Sequence, residues 1–199
     1  MAKKNTSSGQ VRIISGQWRS RKLPIHDLEG LRPTTDRVRE TLFNWLANNI
    51  RGARVLDCFA GSGALGLEAL SRYAGFATMI ELQKNAANQL KLNLATLQCP
   101  NAQVINADSL QILAKGTTTG FDIVFIDPPF RKDLASKTIE LLTAHQWLNS
   151  DALIYVETES DISSFQVPAS WVALKEKQAG QVCYRLYQYQ PNDTTLSGD

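Results

Sequence analysis

The sequence has few of the residues that hold metal ions or build disulfide frameworks. Among its 199 residues there are two histidines and three cysteines, Cys58, Cys99 and Cys183. The cysteines are odd in number and too far apart for a C-x-x-C metal pair, and each histidine stands alone. We therefore expect no metal site and no structural disulfides, which is typical of a protein from a reducing compartment.

Long apolar runs are also missing. No stretch reaches the roughly 18 apolar residues that a membrane helix requires, and residues 1–9 lack the apolar region of a secretory signal. The hydrophobic fraction of 43% is ordinary for a globular protein. These features predict a cytoplasmic protein without a membrane anchor, whose length fits one domain with an appendage.

Positive charge is concentrated near the N-terminus, although the formal net charge is only +2. Residues 1–39 contain nine Lys or Arg and three acids, a net charge of +6, so that residues 40–199 carry −4. A basic arm on a mildly acidic body suggests a polyanionic partner such as a nucleic acid. A solvated arm without any partner would show the same pattern, so charge alone leaves both interpretations open.

The N-terminal part predicts a small hairpin, a loop and a helix. Two strand-like segments, residues 11–14 and 18–23, flank a glycine turn at residues 15–17. A loop follows, and Thr35 or Asp36 can then cap a helix. The apolar residues of that helix recur with helical spacing, at Val38, Leu42, Trp45 and Leu46.

Strands and helices alternate from residue 53 onward. The strand candidates are short and apolar, at residues 54–56, 77–80, 102–105, 121–126 and 152–156. Helix candidates lie between them, near residues 63–73, 84–97, 108–115 and 133–146. Crossovers of this length predict a parallel sheet covered by helices on both faces. Two last strands, at residues 171–176 and 182–187, are close enough in sequence to pair as an antiparallel hairpin.

A glycine-rich loop follows the first strand of this alternating region. Residues 61–66 have the pattern G-x-G-x-x-G, and Glu81 lies twenty residues after Gly61, which by itself also fits an NAD enzyme. However, four residues separate the strand from Gly61, and the carboxylate of Asp57 would lie close to a bound pyrophosphate. S-adenosylmethionine has an ammonium and a sulfonium but no phosphate, so an acid beside the loop suits it better.

The acid, the glycine loop and the acid that ends the second strand resemble motifs I and II of class I methyltransferases. The resemblance implies an α/β, Rossmann-like fold with a seven-stranded sheet that ends in a C-terminal antiparallel hairpin, and with a small N-terminal β-hairpin extension. We expect a flexible N-terminus (1–10), a basic β-hairpin and loop (11–34), a methyltransferase domain (35–189) and a flexible tail (190–199).

The same resemblance implies a set of residues that bind S-adenosylmethionine: Asp57, Phe59, Ala60, Gly61, Gly63, Glu81, Asp108 and Ser109. Asp57 would orient the amino-acid end of the cofactor, and Glu81 would accept hydrogen bonds from both ribose hydroxyls. Asp108 would bind the adenine amine, although it could equally be a helix N-cap. Leu82 and Gln83 depart from the family pattern, where an acid often follows, so a secondary ribose or adenine contact is in doubt.

A second motif, Asp127-Pro128-Pro129-Phe130, follows the apolar strand 121–126. Such a tetrapeptide could be a plain strand-ending turn, but its combination with the glycine loop favours catalysis. The exocyclic amine of a base is a poor nucleophile because its lone pair is delocalised into the ring. Two acceptors on its hydrogens, the Asp127 carboxylate and the Pro128 carbonyl, would free that lone pair, and the prolines would make the corner rigid. Phe130 would stack on the base, a contact worth about 1–3 kcal/mol.

Four stretches, residues 12–19, 31–44, 56–69 and 127–130, together resemble the RsmD family of bacterial 16S rRNA guanine-N2 methyltransferases. The resemblance extends from about residue 10 to about residue 189, and residues 32–40 are its most specific part. It implies methylation of the exocyclic N2 of one guanine, in assembled or assembling small ribosomal subunits, by a monomer. A DNA adenine-N6 methyltransferase remains the alternative, and an NAD-dependent oxidoreductase is a less favoured one.

Basic residues of the N-terminal part are then expected to bind RNA phosphates. They are Arg12, Arg19, Arg21, Lys22, Arg32, Arg37 and Arg39. Three side chains have alternatives: Arg39 could form an ion pair with Glu40 in its helix, Trp18 could stack on a base or fill the core of the hairpin, and Thr34 or Thr35 could touch the cofactor.

Overall fold

The protein is described, as a computed structural model, over residues 9–26, 35–129, 134–160 and 166–191. Its elements in chain order are β1 (Gln10–Arg12), β2 (Lys22–Pro24), α1 (Asp36–Trp45), β3 (Arg54–Asp57), α2 (Ala64–Ser71), β4 (Phe76–Glu81), α3 (Lys84–Thr96), β5 (Ala102–Asn106), α4 (Ser109–Leu113), β6 (Phe121–Ile126), α5 (Leu134–Ala144), β7 (Leu148–Glu159), β8 (Trp171–Ala179) and β9 (Val182–Tyr189). None of the described helices is long and apolar enough to cross a membrane.

Strands β3 to β9 form one seven-stranded sheet in the order β5-β4-β3-β6-β7-β9-β8. The first five strands of that order are parallel, and β9 is antiparallel to both β7 and β8. The chain winds outward from β3 in one direction through β4 and β5, and in the other through β6 and β7. The crevice of such a sheet opens at the carboxyl ends of β3 and β6, where the direction changes. The predicted seven-stranded sheet with a C-terminal hairpin is confirmed.

Side chains on the two faces of the sheet belong to different cores. Val55 and Phe125 pack with the residues of α1, α2, α3 and the N-terminal strands, whereas their neighbours Leu56 and Val124 pack with α4 and α5. This alternation follows from the two-residue period of a strand. Both faces of the central strands are therefore buried, which explains why their sequences are continuously apolar.

Strand β7 is much longer than predicted. It spans Leu148–Glu159 instead of 152–156, because its first residues pair with Phe121 before a register shift and its last residues pair with β9. The pairing of Glu159 with Val182 carries the strand beyond the end of β6. The structure thereby adds polar residues at the crevice edge that the apolar pattern of 152–156 did not include.

The predicted N-terminal hairpin is present, but its strands are only three residues long. Val11 pairs with Leu23 in the centre of the hairpin, and residues 13–21 form a loop where strands were expected. The amides of Ile14 and Ser15 are turned away from strand pairing, since they donate to the carboxylate of Glu68 on α2. The prediction of strands at 11–14 and 18–23 is wrong in this respect, because a contact distant in sequence takes these backbone donors.

Glu68 is the centre of a buried polar cluster that holds this loop against α2. Its side chain has 0% exposure, and its two oxygens accept from the amides of Ile14 (2.7 Å) and Ser15 (3.0 Å). Arg72 donates to Oε1 at 2.7 Å, and the Arg39 guanidinium lies 4.0 Å from Oε2. A buried carboxylate with this many partners can replace the hydration that it loses on folding.

Further contacts attach the rest of the hairpin to the domain. The amide of Gln17 donates to the Ser71 carbonyl at 2.8 Å, and the amide of Trp18 donates to Ser71 Oγ at 3.1 Å. On the other side, Asn93 Nδ2 of α3 donates to the Pro24 carbonyl at 2.9 Å. The N-terminal hairpin is therefore fixed to two helices of the domain.

We expect Glu68→Ala to lower the free energy of unfolding by roughly 3–5 kcal/mol, because it leaves two part-buried amides and the guanidinium of Arg72 without this acceptor and removes the anion next to Arg39. Urea denaturation measures this loss. Trypsin should also cut faster at Arg19, Arg21 and Lys22 as the loop detaches. The exposed Glu140 on α5 provides the control, since Glu140→Ala should change stability by less than about 0.5 kcal/mol. Equal stabilities of the two variants would contradict the anchoring role.

Candidate cofactor and substrate site

Backbone hydrogen bonds attach the glycine-rich loop to the strands on both sides of β3. The amide of Cys58 donates to the Phe125 carbonyl of β6 at 3.0 Å, and the amide of Ala60 donates to the Ile80 carbonyl of β4 at 2.9 Å. The loop thus lies across the carboxyl ends of three parallel strands, at the position where open α/β sheets bind ligands.

Two glycines allow α2 to begin directly over the sheet. Gly63 has φ = 78°, a left-handed conformation in which a side chain would be strained, and a Cβ there would collide with Leu90. A Cβ at Gly66 would lie 2.6 Å from the sulfur of Met79. A larger residue at either position would force the buried side chains of Leu90 or Met79 to move, and at Gly63 it would also have a strained backbone.

Asp57 is a buried acid with one unused oxygen. The residue is 1% exposed, and Oδ2 accepts from the amide of Gly66 at 3.2 Å. Within the described part of the chain, Oδ1 has no hydrogen-bond partner. Burial raises the pKa of Asp57 to about 7, and the negative charge of Asp127 adds to this, whereas nearby amides of Gly66 and Phe59 oppose it. A buried, unsatisfied carboxylate oxygen beside a glycine loop fits a cationic group such as an ammonium.

Glu81, at the end of β4, has a structural role in addition to its predicted one. Its Oε2 accepts from the amide of Gly61 at 2.8 Å, and its Oε1 accepts from the amide of Gln83 at 2.7 Å. Each oxygen retains a second acceptor position, so hydrogen bonds from two ribose hydroxyls remain possible and stay a prediction. The carboxylate already orders the glycine loop from the neighbouring strand.

The prediction that Asp108 caps a helix is confirmed. Asp108 Oδ1 accepts from the amide of Gln111 at 3.1 Å at the start of α4. Ser109 is buried, and its hydroxyl donates to the carbonyl of Cys58. Because that proton is already used, we expect Ser109 to position the loop after β3, while the adenine contact of Asp108 stays a prediction.

Leu82 was missed as a candidate because it stands where the family pattern often has an acid. It is 64% exposed, directly after Glu81. Asn106 Nδ2 donates to the carbonyls of both residues at 2.9 Å and holds the segment in place. An exposed leucine beside a polar site offers an apolar surface for a flat ring. The available signal in the sequence was an apolar residue immediately after a strand-ending acid.

The structure brings Asp127 to the same crevice as the glycine loop. Asp57 pairs in register with Phe125, so Asp127 follows two residues further along the neighbouring strand. The negative charge of Asp127 also contributes to the raised pKa of Asp57, in agreement with this register. Asp127 is partly exposed, Pro128 is buried and Pro129 is exposed, while Phe130 lies outside the described residues.

The predicted RNA-contacting residues fall into different environments. Arg19, Arg21, Lys22 and Arg37 are exposed, whereas Arg32 and Thr34 lie outside the described residues. Arg12 is half exposed and pairs with Asp36 at 2.5 Å, which raises the pKa of Arg12 and, together with Arg39, lowers that of Asp36 despite partial burial. Thr35 accepts from the amide of Val38 and is the N-cap of α1, as predicted.

Arg39 does not fit the prediction of a phosphate contact. Its side chain is only 4% exposed, and Nη2 pairs with Asp36 at 2.5 Å while Nη1 donates to the Arg12 carbonyl at 2.9 Å. Arg39 shares the inner face of α1 with Val38 and Leu42. The alternative of a local ion pair is correct in kind, although the partner is Asp36 and not Glu40. Trp18 is partly buried and packs against the core, which favours the core interpretation.

A parallel sheet that ends in an antiparallel hairpin, with an acid and a glycine loop at its switch point, is the architecture of the Rossmann-like class I methyltransferases. A solved structure from Escherichia coli, yhhF, provisionally named a methyltransferase, has a TM-score of 0.86 and 57% identity to this chain. The match covers 92% of this chain and 99% of that one. The predicted fold class is confirmed.

Residues 11–188 match the family model described as "Conserved hypothetical protein 95", and the chain belongs to this family. It is 60% identical over 190 residues to "Ribosomal RNA small subunit methyltransferase D" of Escherichia coli (strain K12), which covers 94% of this chain and 95% of the relative. The protein of the same name from Haemophilus influenzae is 55% identical over 92% of this chain and 95% of its own length. The predicted membership of the RsmD family is confirmed.

The buried charge of Asp57 should be visible in the pH dependence of stability. Its pKa in the folded chain is about 7, against an ordinary value of 3.8, so the folded state binds a proton more tightly than the unfolded state. The resulting stabilisation is complete below about pH 4 and is lost as the pH rises through about 7. We expect Asp57→Asn to remove this slope and to melt several degrees higher than wild type at pH 8, as measured by calorimetry without ligand. Parallel pH profiles for the two proteins would show that Asp57 does not carry a buried charge.

Proposed function

We propose that this protein transfers a methyl group from S-adenosylmethionine to the exocyclic N2 amine of a guanine in 16S rRNA of the small ribosomal subunit. The observation that carries the proposal is the strand register: the buried Asp57 beside the glycine loop pairs with Phe125, and Asp127 with its proline corner follows two residues after Phe125. Membership of a family whose relatives are named rRNA small subunit methyltransferases supports the substrate class.

The described residues fit S-adenosylmethionine. Asp57 Oδ1, buried and without a partner among the described residues, would accept a hydrogen bond from the ammonium of the methionine part. Glu81 would accept from the ribose hydroxyls, and Leu82 would cover one face of the adenine. When bound, the sulfonium supplies an electrophilic methyl group, and the carbon–sulfur bonding pair stays with sulfur.

Asp127 and Pro128 act on the nucleophile. The Asp127 carboxylate and the Pro128 carbonyl accept hydrogen bonds from the two hydrogens of the amine, which favours a pyramidal nitrogen whose lone pair is available to form the new bond to carbon. Positive charge develops on that nitrogen, and Asp127 stabilises it and takes the proton that is released. Holding the amine in line with the methyl group supplies much of the rate. The base must be unpaired or flipped out to reach the crevice.

The fixed N-terminal hairpin would hold the RNA. Arg19, Arg21 and Lys22 are exposed on a loop and strand that are bonded to α2 and α3, so their charges keep a constant position relative to the crevice. Such contacts go mostly to phosphates and carry little sequence information. We place the protein in the cytoplasm, where its proposed substrate is made, and expect it to act as a monomer.

We expect label from S-adenosylmethionine to appear in small ribosomal subunits as N2-methylguanosine, detected by nucleoside mass spectrometry, and not in duplex DNA. Asp127→Asn should lower the rate at least about 100-fold, because it removes the charge that stabilises the developing cation. The affinity of this variant for S-adenosylhomocysteine should stay within a few-fold of wild type, whereas Asp57→Asn should lose that affinity. Label only in DNA, or a wild-type rate in Asp127→Asn, would refute the proposal.

If the basic residues of the hairpin contact phosphates, the affinity for small subunits should fall as the salt concentration rises. Replacing Arg19, Arg21 and Lys22 together by alanine should weaken binding to small subunits and make the plot of log affinity against log salt shallower by about 2. The rate at saturating subunits should change little, because these residues lie away from the crevice. A control that removes equal charge elsewhere, Lys115, Lys137 and Lys177 to alanine, should keep the wild-type slope. Identical slopes for both triple variants would exclude the hairpin as the RNA contact.

A further inference from the structure

A second carboxylate lies beside Asp127 at the crevice edge. Val156 of β7 pairs with Ile126 of β6. The next residue of β7 is Glu157, which stays paired with Tyr184 of β9, and the residue that follows β6 is Asp127. Glu157 is 6% exposed. Sequence analysis did not find it because it follows the apolar run of β7, with no motif around it.

The side chain of Glu157 lies on the same face of the sheet as Tyr155, and that face also contains Phe125. Tyr155 and Phe125 contact each other edge to face, with ring centroids 6.3 Å apart. The Tyr155 hydroxyl donates to Glu157 Oε2 at 2.8 Å. Burial above all, and then the negative charges of Glu157 and Asp127, raise the pKa of Tyr155. Phe125 and Tyr155 pair in register, so the two-residue period of a strand places Asp127 and Glu157, each two residues further on, next on this face.

The Tyr155 hydroxyl holds the Glu157 carboxylate in one orientation. An ionised carboxylate has about four acceptor positions on its two oxygens, so the bond from Tyr155 does not by itself prevent Glu157 from accepting from the edge of a base. A buried acid on the strand next to Asp127 is costly for stability, because like charges repel and burial removes hydration. Such a cost is typical of a functional site.

The three bases that carry an exocyclic amine differ in the group next to that amine, and this group decides which of them a second carboxylate can bind. Guanine presents two neighbouring donors, N1–H and the N2 amine. Adenine and cytosine present their amine next to a ring nitrogen whose lone pair is an acceptor. A carboxylate placed beside the one that binds the amine attracts the N1–H of guanine and repels the ring nitrogen of the other two bases.

We propose that Glu157 selects guanine, by accepting a hydrogen bond from N1–H while Asp127 accepts from the N2 amine. The inference rests on the proposed function and adds the residue that determines its base specificity. Adjacent strands lie roughly 4.8 Å apart, so carboxylates on β6 and β7 can reach one base edge together. Tyr155 is then a positioning residue that keeps Glu157 directed at the base.

The test changes the protein and the base on the two sides of this contact. Small subunits are reconstituted with RNA that carries either guanine or 2-aminopurine at the methylated position, because 2-aminopurine keeps the amine but lacks N1–H. It also lacks the 6-oxo group, and an effect of that group should be the same in wild type and in the Glu157 variant. Wild type should methylate the 2-aminopurine subunits with a kcat/KM about 10- to 100-fold lower. Glu157→Gln should lose about 10- to 100-fold on guanine, and its amide should narrow the ratio between the two bases to a few-fold. The matched variant Glu140→Gln, on an exposed position of α5, should keep both wild-type values.

If Glu157 recognises the base, the loss of kcat/KM in Glu157→Gln depends on which base is present. A merely structural role would lower kcat/KM by the same factor on both bases. The melting temperature and the affinity for S-adenosylhomocysteine of Glu157→Gln should stay near wild type. If wild type methylates both kinds of subunit equally well, N1–H is not read and the inference is overturned, even where Glu157→Gln does not fold. An unchanged base ratio in folded Glu157→Gln overturns it as well. Absence of N2-methylguanosine in wild-type reactions with guanine subunits would instead refute the proposed function itself.

Discussion

The buried carboxylate of Asp57 is the constraint on which the rest of the site depends. An ion in the core is unfavourable unless hydrogen bonds replace its hydration, and Asp57 receives one from the amide of Gly66. That bond requires α2 to approach the sheet so closely that a Cβ on Gly66 would lie 2.6 Å from Met79. The spacing of acid and glycines along the chain therefore reflects the packing of α2 on β3 and β4. The remaining oxygen is left for a ligand.

Two further carboxylates accept hydrogen bonds from backbone amides of loops that are distant in sequence. Glu81 accepts from the loop after β3, and Glu68 accepts from the loop of the N-terminal hairpin. Because α2 begins directly after Gly63 of the glycine loop and ends at Ser71, which binds the hairpin, one short helix connects the crevice to the N-terminal hairpin. An RNA held on that hairpin would thus be presented at a constant position relative to the reacting groups, without a hinge between them.

Local patterns in the sequence were sufficient where a structure depends on neighbouring residues. Short apolar segments separated by helix-length crossovers predicted the parallel strands, and Thr35 and Asp108 were recognised as helix caps since an N-cap requires only three residues of context. The same local patterns failed for the segment after β1, because the amides of Ile14 and Ser15 donate to Glu68, more than fifty positions away. They also failed for Arg39, because the direction of a helix face depends on what α1 packs against.

The sequence by itself determined the class of fold, and it predicts the cofactor loop and the acid of the proline corner, since each is encoded in a short run of residues with a strict steric or chemical requirement. Only the tertiary structure decided which side chains a ligand can reach. It buried Arg39, exposed Leu82 and set Glu157 beside Asp127, because strand order and register depend on pairings between residues far apart in the chain. A carboxylate after an apolar strand looks the same in sequence whether it faces solvent or stands at a crevice, and the neighbouring strand is what distinguishes the two.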